Sequence, residues 1–538
     1  MRRRMVLVGA LVCLVGTAAC IPTAAEPEVR EHGAPAAAQP RVTPEPVKPA
    51  PPTNNGTRDL AIAPTGDVAA GIARHDDGSA PPGGPVSPAE DPFTYQRDGF
   101  AFHDLSGAAV PYVPRSEVAK DDDLPRDADG VRMHEVAGEF YDHPNFQAGD
   151  GIANLESYRL TGDEFYLDRA LVQARHLVEH RVESRGAWFY AYTFDFRVHG
   201  NPAETMRAPW YSGLAQGKAL SFFSRLAAVT DDDQWREAAD RTFASFLNPP
   251  SATEPWVSRV DKYGLLWLVE YPYQATPAKS DHVFNGHMSA IVGLWDYYRV
   301  SKEPLALGLY DGSITTMRRY LPIIRVPDRP SLYCVPHATP ASGSYHTLHI
   351  SQFVFLWLMT GKPEFVRMAD TLRDDAPPPI LAEQRVVEFR ADALVGYTFD
   401  LQSGAVLARD NETVRVGSTG TTIRRMRIAH RGIFYRMASG PLAGSWVAEG
   451  PDSAMVRGPI AEVNYKGLRY ARLLRGRTYV GHTFNAAGDV VDTAEVVPTD
   501  EVEVWFDKSA WVDGVRAGHV AVGPLAGSWV ATAKVDLS

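Results

Sequence analysis

The stretch "WLVEYPY", Trp267 to Tyr273, sets a glutamate beside a tyrosine inside an apolar, aromatic run. An ionisable pair in such surroundings has two readings. In one, Glu270 is a buried carboxylate paired with an arginine, and Tyr271 is a core ring whose hydroxyl finds a partner. In the other, the pair does acid–base chemistry. Two further segments favour the second. "DFRVHGNPAETMRAPWYSGLAQGK", from Asp195 to Lys218, sets Arg197, His199, Arg207, Trp210 and Tyr211 before a helix-like run. "SLYCVPHATPASGSYHTLHISQF" sets Tyr333, His337, Tyr345, His346 and His349 before another. If these loops meet at one cavity, they supply what an acidic sugar chain needs: aromatic faces with a few cations and carboxylates.

The elements that must position these residues announce themselves by their turns. "LTGDEFYLDRA" at Leu160, "VTDDDQWREAA" at Val229, "VSKEPLALGLY" at Val300 and "MTGKPEFVRMA" at Met359 share one pattern. An apolar residue and a Thr or Ser are followed by turn or N-cap residues, and then by an aromatic or leucine that opens the next helix. Before each lies an apolar helix-like run, such as "GLAQGKALSFFSRLAAV" or "HMSAIVGLWDYYRV". Four helix-turn-helix units in a row predict an α/α toroid, a closed or part-closed ring of helical pairs over residues 92–378. Its inner helices and the loops at one end would line a central cavity.

After "RDDAPPPI" the pattern changes to short alternating runs with many glycines, which predicts an all-β region over residues 381–538. It is a tandem repeat: "GPLAGSWV" at Gly440 recurs at Gly523, and "VGYTFDLQSG" at Val395 answers "VGHTFNAAGD" at Val480. The copies are predicted at about 385–450 and 468–538. Aromatics in these copies suggest carbohydrate contact, but Trp446 and Trp529 are more readily core residues.

The chain has 538 residues, 45% of them hydrophobic, which is too long for one ordinary core. Its formal net charge of −11 argues against a nucleic-acid partner, because phosphate binding requires concentrated positive charge. Arg2, Arg3 and Arg4 precede an apolar stretch from Met5 to Val15 and then Thr17-Ala18-Ala19-Cys20. That resembles a bacterial lipoprotein signal over residues 1–20, with Cys20 as the lipidated residue, although Thr17 stands where the pattern usually has leucine. Residues 21–91 are rich in Pro, Ala and Gly and read as a disordered tether. The expected location is the extracellular face of the cell membrane, through a lipid anchor, or secretion. Cys334 is then the one cysteine beyond the signal and Cys20, so no intramolecular disulfide is expected.

"PWYSGLAQGKAL", "VEYP", "VFNGHMSAIVGLWDYY", "SLYCVPH" and "YHTLHISQ" occur in this order. Together, over about residues 190–373, they resemble the C-terminal catalytic domain of D-glucuronyl C5-epimerases, which convert D-glucuronate to L-iduronate within heparan-type polysaccharides. The resemblance covers neither the tether nor the β repeats. It implies catalytic roles for Glu270, Tyr271, Tyr345 and Tyr333; Arg207, Trp210, Tyr211, His337, His346, Arg197 and Asn285 are the substrate-binding candidates that the surrounding segments offer. It also implies a uronate-containing polysaccharide as partner and suggests a homodimer. One departure stands out. The family has an arginine shortly before the histidine that follows Tyr333, and this chain has Pro336, so either carboxylate binding falls to Arg207, Arg197 or His337 or the substrate differs.

Epimerisation at C5 removes a proton next to a carboxylate and returns one from the opposite face, so it needs two acid/base groups flanking the ring. Tyr271 or Glu270 on one face and Tyr345 on the other would serve. Preorganised donors such as Arg207, His337 or His346 would stabilise the charge developing on the sugar carboxylate. No strand–GxGxxG–helix unit supports a nicotinamide, and no HExxH or paired CxxC motif is present, so neither cofactor nor metal is expected. Two other readings stand beside the epimerase. A uronate lyase or hydrolase could use the same toroid, though a hydrolase would need a second carboxylate. A surface glycan-binding lipoprotein could have lost the chemistry.

Overall fold

In a computed structural model, residues 92–274, 276 and 280–537 are described. The signal segment, the tether and the lipidation site at Cys20 lie outside them. Among the described residues eight α-helices form four consecutive hairpins: α1 (Pro144–Thr161) with α2 (Glu164–Glu179), α3 (Gly213–Thr230) with α4 (Asp233–Ala244), α5 (Phe284–Ser301) with α6 (Pro304–Ile324), and α7 (Gly343–Thr360) with α8 (Pro363–Asp375). Each first helix ends on a left-handed residue, Gly162, Asp231, Lys302 or Gly361, which turns the chain out of the helix and closes its last turn. The next residue caps the following helix in three cases: Asp163, Asp232 and Glu303 accept hydrogen bonds from the backbone N–H groups of Phe165, Gln234 and Leu305. Pro304 and Pro363 occupy first-turn positions, where a missing N–H costs nothing.

The hairpins divide into inner and outer helices. α3 buries every residue from Gly213 to Ala227 except Lys218, and α5 every residue from Phe284 to Tyr297. A helix buried all round belongs inside a stack, and α1, α3, α5 and α7 pack in that order. Outer helices are one-sided: α4 buries Trp235, Ala238, Ala239, Thr242 and Phe243, one stripe at helical spacing. The α3–α5 contact is close enough to need glycine. A Cβ on Gly293 would lie 2.2 Å from the Gly217 carbonyl oxygen, and one on Gly217 would lie 2.4 Å from Ala290 Cα. Arg225 of α3 ties the inner helices by bonding Glu156 of α1 at 2.9 Å and Asp296 of α5 at 2.8 Å, all three side chains being buried.

Of the two expected forms, closed and part-closed, the ring takes the part-closed one. Eight helices make an open arc, and α1 does not pack on α7 as neighbouring inner helices do. The chain before α1 spans the gap: Tyr112 sets its ring edge-on to Phe355 of α7, Pro111 accepts a hydrogen bond from Arg225, and Val118 donates to Ser157 of α1.

Beyond α8 lie two seven-stranded antiparallel sheets, over residues 380–456 and 460–537. Numbered by sequence within each copy, the strands of both sheets lie in the order third, second, sixth, fifth, fourth, first, seventh. The "GPLAGSWV" motif turns between the fifth and sixth strands. Gly440 and Gly523 both have positive φ (81° and 110°), and a Cβ at Gly440 would strike the Thr419 carbonyl at 2.7 Å. Trp446 and Trp529 that follow are buried. The copies differ in what they pack against. The first surrounds its own core of Val387, Phe389, Tyr435 and Val447. The second contributes Val463, Tyr465, Val504 and Phe506 to the same core as the helices. No described helix is long and apolar enough to cross a membrane.

Candidate active site

A short hairpin, Ser258–Val260 with Leu266–Leu268, carries the chain to Glu270. Residues 266–269 are buried, and the strand is pinned from two helices: Gly213 N–H donates to the Val269 carbonyl at 2.7 Å, and Leu268 N–H donates to His287 Nδ1 at 3.0 Å. Glu270 therefore emerges between the first turns of α3 and α5. Its carboxylate lies where a side chain at position 286 would be, since a Cβ on Gly286 would come within 2.2 Å of Oε2. Asn285 Nδ2 donates to the same oxygen at 3.3 Å. Glu270 is 4% exposed. Burial raises its pKa to about 7, against the lowering effect of the Tyr271 hydrogen bond and of the His199 and Asn285 neighbours. That is the range a general base at neutral pH needs.

Tyr271 follows, with its hydroxyl 3.2 Å from that of Tyr333 and its ring nearly parallel to Phe196, centroids 5.7 Å apart. Tyr333 sets its ring edge-on to Tyr345 at 4.9 Å. Tyr345 lies in the first turn of α7, whose N-cap is Ser342. The three tyrosines thus form a contiguous chain beside Glu270. His346 and His349 brace it from behind: Ser331 N–H donates to His346 Nδ1 at 3.0 Å, and the Ser331 hydroxyl lies 2.8 Å from His349 Nδ1.

Glu270, Tyr271 and Tyr345 line one cleft with Tyr192, Phe194, Phe196, Trp210, Ser212, Leu214, His134, His143 and Asn145. Tyr192 and Trp210 stack face to face at 3.9 Å, held by the pairing of their strand segments. His143 is the N-cap of α1 and accepts at Nδ1 from Phe146 N–H at 3.3 Å, which leaves Nε2 as the donor in the neutral ring. Burial depresses the pKa of His143 well below the usual histidine value, and His134 is lowered by the same cause. Both are neutral donors at pH 7.

The structure distributes the other expected residues differently. Trp210 lines the cleft, and Asn285 reaches it through Glu270. Tyr211 turns instead into the main core against Phe189. Arg207 is exposed and paired with Asp195, and Arg197 is exposed on the neighbouring strand, so neither lines the cleft. His346 has both ring nitrogens committed, the second to the Leu372 carbonyl at 2.8 Å. No arginine or lysine is among the residues that line the cleft. His134, His143, Asn145 and the Tyr192–Phe196 aromatics escaped sequence reasoning. Their one local signal was the His143-Pro144 pair, a helix start.

His337 joins a second cluster, behind Tyr333. His199 Nε2 lies 3.2 Å from Asp281, and His337 lies 3.0 Å from Glu204 and 3.3 Å from Asp281. Cys334 Sγ is 3.4 Å from His199 Nε2. These are metal-binding residue types, and they form the set here that could hold an ion.

Residues 182–373 match the family model of the D-glucuronyl C5-epimerase C-terminus. The match covers just over a third of the chain and includes Glu270, Tyr271, Tyr333 and Tyr345, but ends before the β repeats. The epimerase-like segment also begins after His134 and His143, so those two residues come from outside it. An uncharacterized protein of Methanocaldococcus jannaschii is 22% identical over 221 residues, 38% of this chain and 66% of its own length. Among solved structures, cellobiose 2-epimerase from Spirochaeta thermophila is 15% identical over 46% of this chain and 63% of its own, with a TM-score of 0.35. A family 76 α-mannanase from Bacteroides thetaiotaomicron is 12% identical over 45% and 59%, with a TM-score of 0.32. The chain thus spans less than two thirds of the length of these relatives. Of the residues in the matched segment, Glu270, Tyr271 and Tyr345 line the aromatic cleft.

Proposed function

We propose that this protein is a polysaccharide uronyl C5-epimerase, interconverting D-glucuronate and L-iduronate residues by proton removal and return at C5. The observation that carries the reading is the meeting of Glu270, Tyr271 and Tyr345 at one aromatic cleft, with Tyr333 bonded to Tyr271. Glu270, with a pKa near 7, takes the C5 proton. Tyr345, in contact with Tyr333 and through it with Tyr271, returns a proton to the other face of the ring. Tyr192, Trp210 and Phe196 supply apolar faces for the sugar.

The sugar carboxylate has to be held while charge builds on it, and the cleft offers neutral imidazoles in place of an arginine. His143 Nε2–H and His134 are the donors this reading assigns to it. An anion placed beside them raises their pKa, so each can take up a proton as the substrate binds.

A lyase would share the proton abstraction and then expel the C4 substituent. A hydrolase is disfavoured by a specific observation: Glu270 is the one carboxylate among the cleft-lining residues, and hydrolysis takes two across the scissile bond. Incubation with a glucuronate–glucosamine polymer in deuterated water, read by NMR, tests the proposal. Deuterium at C5 with new iduronate signals is expected. Unsaturated uronate would replace the epimerase by a lyase, and a full panel of uronate polymers without exchange would refute the enzyme.

A further inference from the structure

We propose that His199, Glu204, Asp281 and His337 form a binding site for a divalent transition-metal ion, zinc being the ion that fits best, immediately behind the tyrosine chain of the cleft. One donor atom from each of the four lies within 4.8 Å of the others. The individual separations are 3.2 Å between His199 Nε2 and Asp281 Oδ2, 3.0 Å between His337 Nε2 and Glu204 Oε1, and 3.3 Å between His337 Nδ1 and Asp281 Oδ1. Ligands at roughly 2.0–2.2 Å from a tetrahedral ion stand about 3.3 Å apart, so a set with one donor atom per residue, all within 4.8 Å of one another, needs a modest closure of its side chains to surround an ion.

A second observation points to a missing partner. Asp281 is completely buried, and its Oδ1 faces His337 Nδ1 at 3.3 Å without the geometry of a hydrogen bond; the buried Glu204 Oε2 and Tyr273 hydroxyl nearby also lack hydrogen bonds. A buried carboxylate with an unfilled acceptor is costly, and a cation relieves that cost more completely than a hydrogen bond does. The donor set also selects the ion. Two imidazoles with two carboxylates suit zinc and its neighbours, whereas calcium and magnesium take oxygen shells. The buried Cys334 sulfur, 3.4 Å from His199 Nε2 and 3.6 Å from His337 Nδ1, adds a soft donor at the edge.

The backbone holds these groups in place without the ion. Strand pairing of Phe196–Arg197 with Thr205–Met206 closes the loop that carries His199 and Glu204. Bridges join Tyr271 to Asp281 and Val283 to Cys334. Asn201 Nδ2 donates to Glu204 Oε1 at 2.8 Å, an outer contact that orients the carboxylate. His199 adopts a left-handed φ of 54° to reach inward, and its ring stands edge-on to Tyr333 at 5.8 Å. A bound ion would therefore fasten together the three loops that carry Phe196, Tyr271 and Tyr333, a positioning role that does not depend on which sugar reaction the cleft performs.

The test is metal content, which is read without any substrate. The full chain is stripped with a chelator, reloaded with zinc, dialysed and analysed by elemental mass spectrometry; a cobalt-loaded sample is examined for the visible bands of low-coordinate Co²⁺. One zinc per chain and a cobalt spectrum are expected. His337→Asn is the variant least able to disturb the fold, since that side chain is 36% exposed; His199→Asn keeps a residue that tolerates the left-handed backbone. Each should weaken zinc binding by more than about 100-fold, beyond the loss typical of an outer-shell change, with an unchanged circular dichroism spectrum. A wild-type chain that retains no zinc would overturn the proposal, as would variants that retain it with wild-type affinity.

Discussion

Glu270 combines two properties that normally exclude each other, full burial and, in the proposed reaction, a role that requires charge. Its carboxyl is held protonated up to about pH 7 by burial, whereas the unfolded chain loses that proton near the ordinary glutamate value of 4.5. A folded pKa above the unfolded one contributes stability below pH 4.5, which is lost as pH rises through 7. Glu270→Gln removes that loss, so the variant should be more stable than wild type at pH 8, by up to about 3 kcal/mol for a shift of this size, and similar to it at pH 4. Thermal melts at the two pH values check this; equal melting temperatures at pH 8 would show that Glu270 is solvated. The same titration governs activity, since the base form accumulates above pH 7. Proton exchange should therefore rise with pH to a plateau above 7, a profile that a general acid would invert. Glu270, Tyr271 and Tyr345 were legible because each sits in a local motif. Arg207 was misjudged because its partner Asp195 is twelve positions away, and nothing nearby says that an ion pair will keep the guanidinium at the surface. His134 and His143 reach the cleft from before the matched segment, at a distance in sequence that no spacing rule bridges.

At the scale of elements, the inner helices supply rigidity by approaching closely. Gly217 and Gly293 allow α3 and α5 to touch backbone to backbone, and the first turns of those helices hold the strand end that presents Glu270. Gly293→Ala improves intrinsic helix propensity by about 1 kcal/mol, yet its methyl would meet the Gly217 carbonyl at 2.2 Å. Overpacking should win, for a net loss of about 1–3 kcal/mol in urea denaturation; a stabilised variant would contradict the packing described. The hairpins were readable because left-handed ends and capping residues are local chemistry. Whether the ring closes was not, because closure depends on how many hairpins stack and on the non-helical stretch around Pro111 and Tyr112 that fills the gap.

For the whole molecule, the β repeats are unequal partners of the helical arc. Asp370 of α8 receives hydrogen bonds from the Tyr465 hydroxyl at 3.1 Å and the Ser509 hydroxyl at 2.6 Å, and pairs with Arg469 at 3.3 Å. Trp511 Nε1 donates to Asp374 at 2.6 Å. Asp370→Ala leaves Arg469, only 4% exposed at its side chain, without its carboxylate, and should cost about 3 kcal/mol. Deuterium exchange per folded molecule should stay at the wild-type level, because Asp370 is not among the residues that line the cleft; loss of exchange with stability intact would mean that the second repeat shapes the site directly. Duplication was plain from "GPLAGSWV". The different fates of the copies were not, since the shared motif lies in a turn. The distinction rests on Tyr465, Arg469 and Trp511, and on a first strand of 14 residues in the second copy against 10 in the first.

The central claim is that Glu270 removes the C5 proton of a uronate residue and Tyr345 returns one. The direct measurement is deuterium incorporation at C5 of a glucuronate–glucosamine polymer by wild type, Glu270→Gln and Tyr345→Phe in deuterated water. Wild type should incorporate deuterium at C5 and accumulate iduronate, with both variants slower by about 10²–10⁴-fold while remaining folded. Exchange at the wild-type rate in folded Glu270→Gln would contradict the claim.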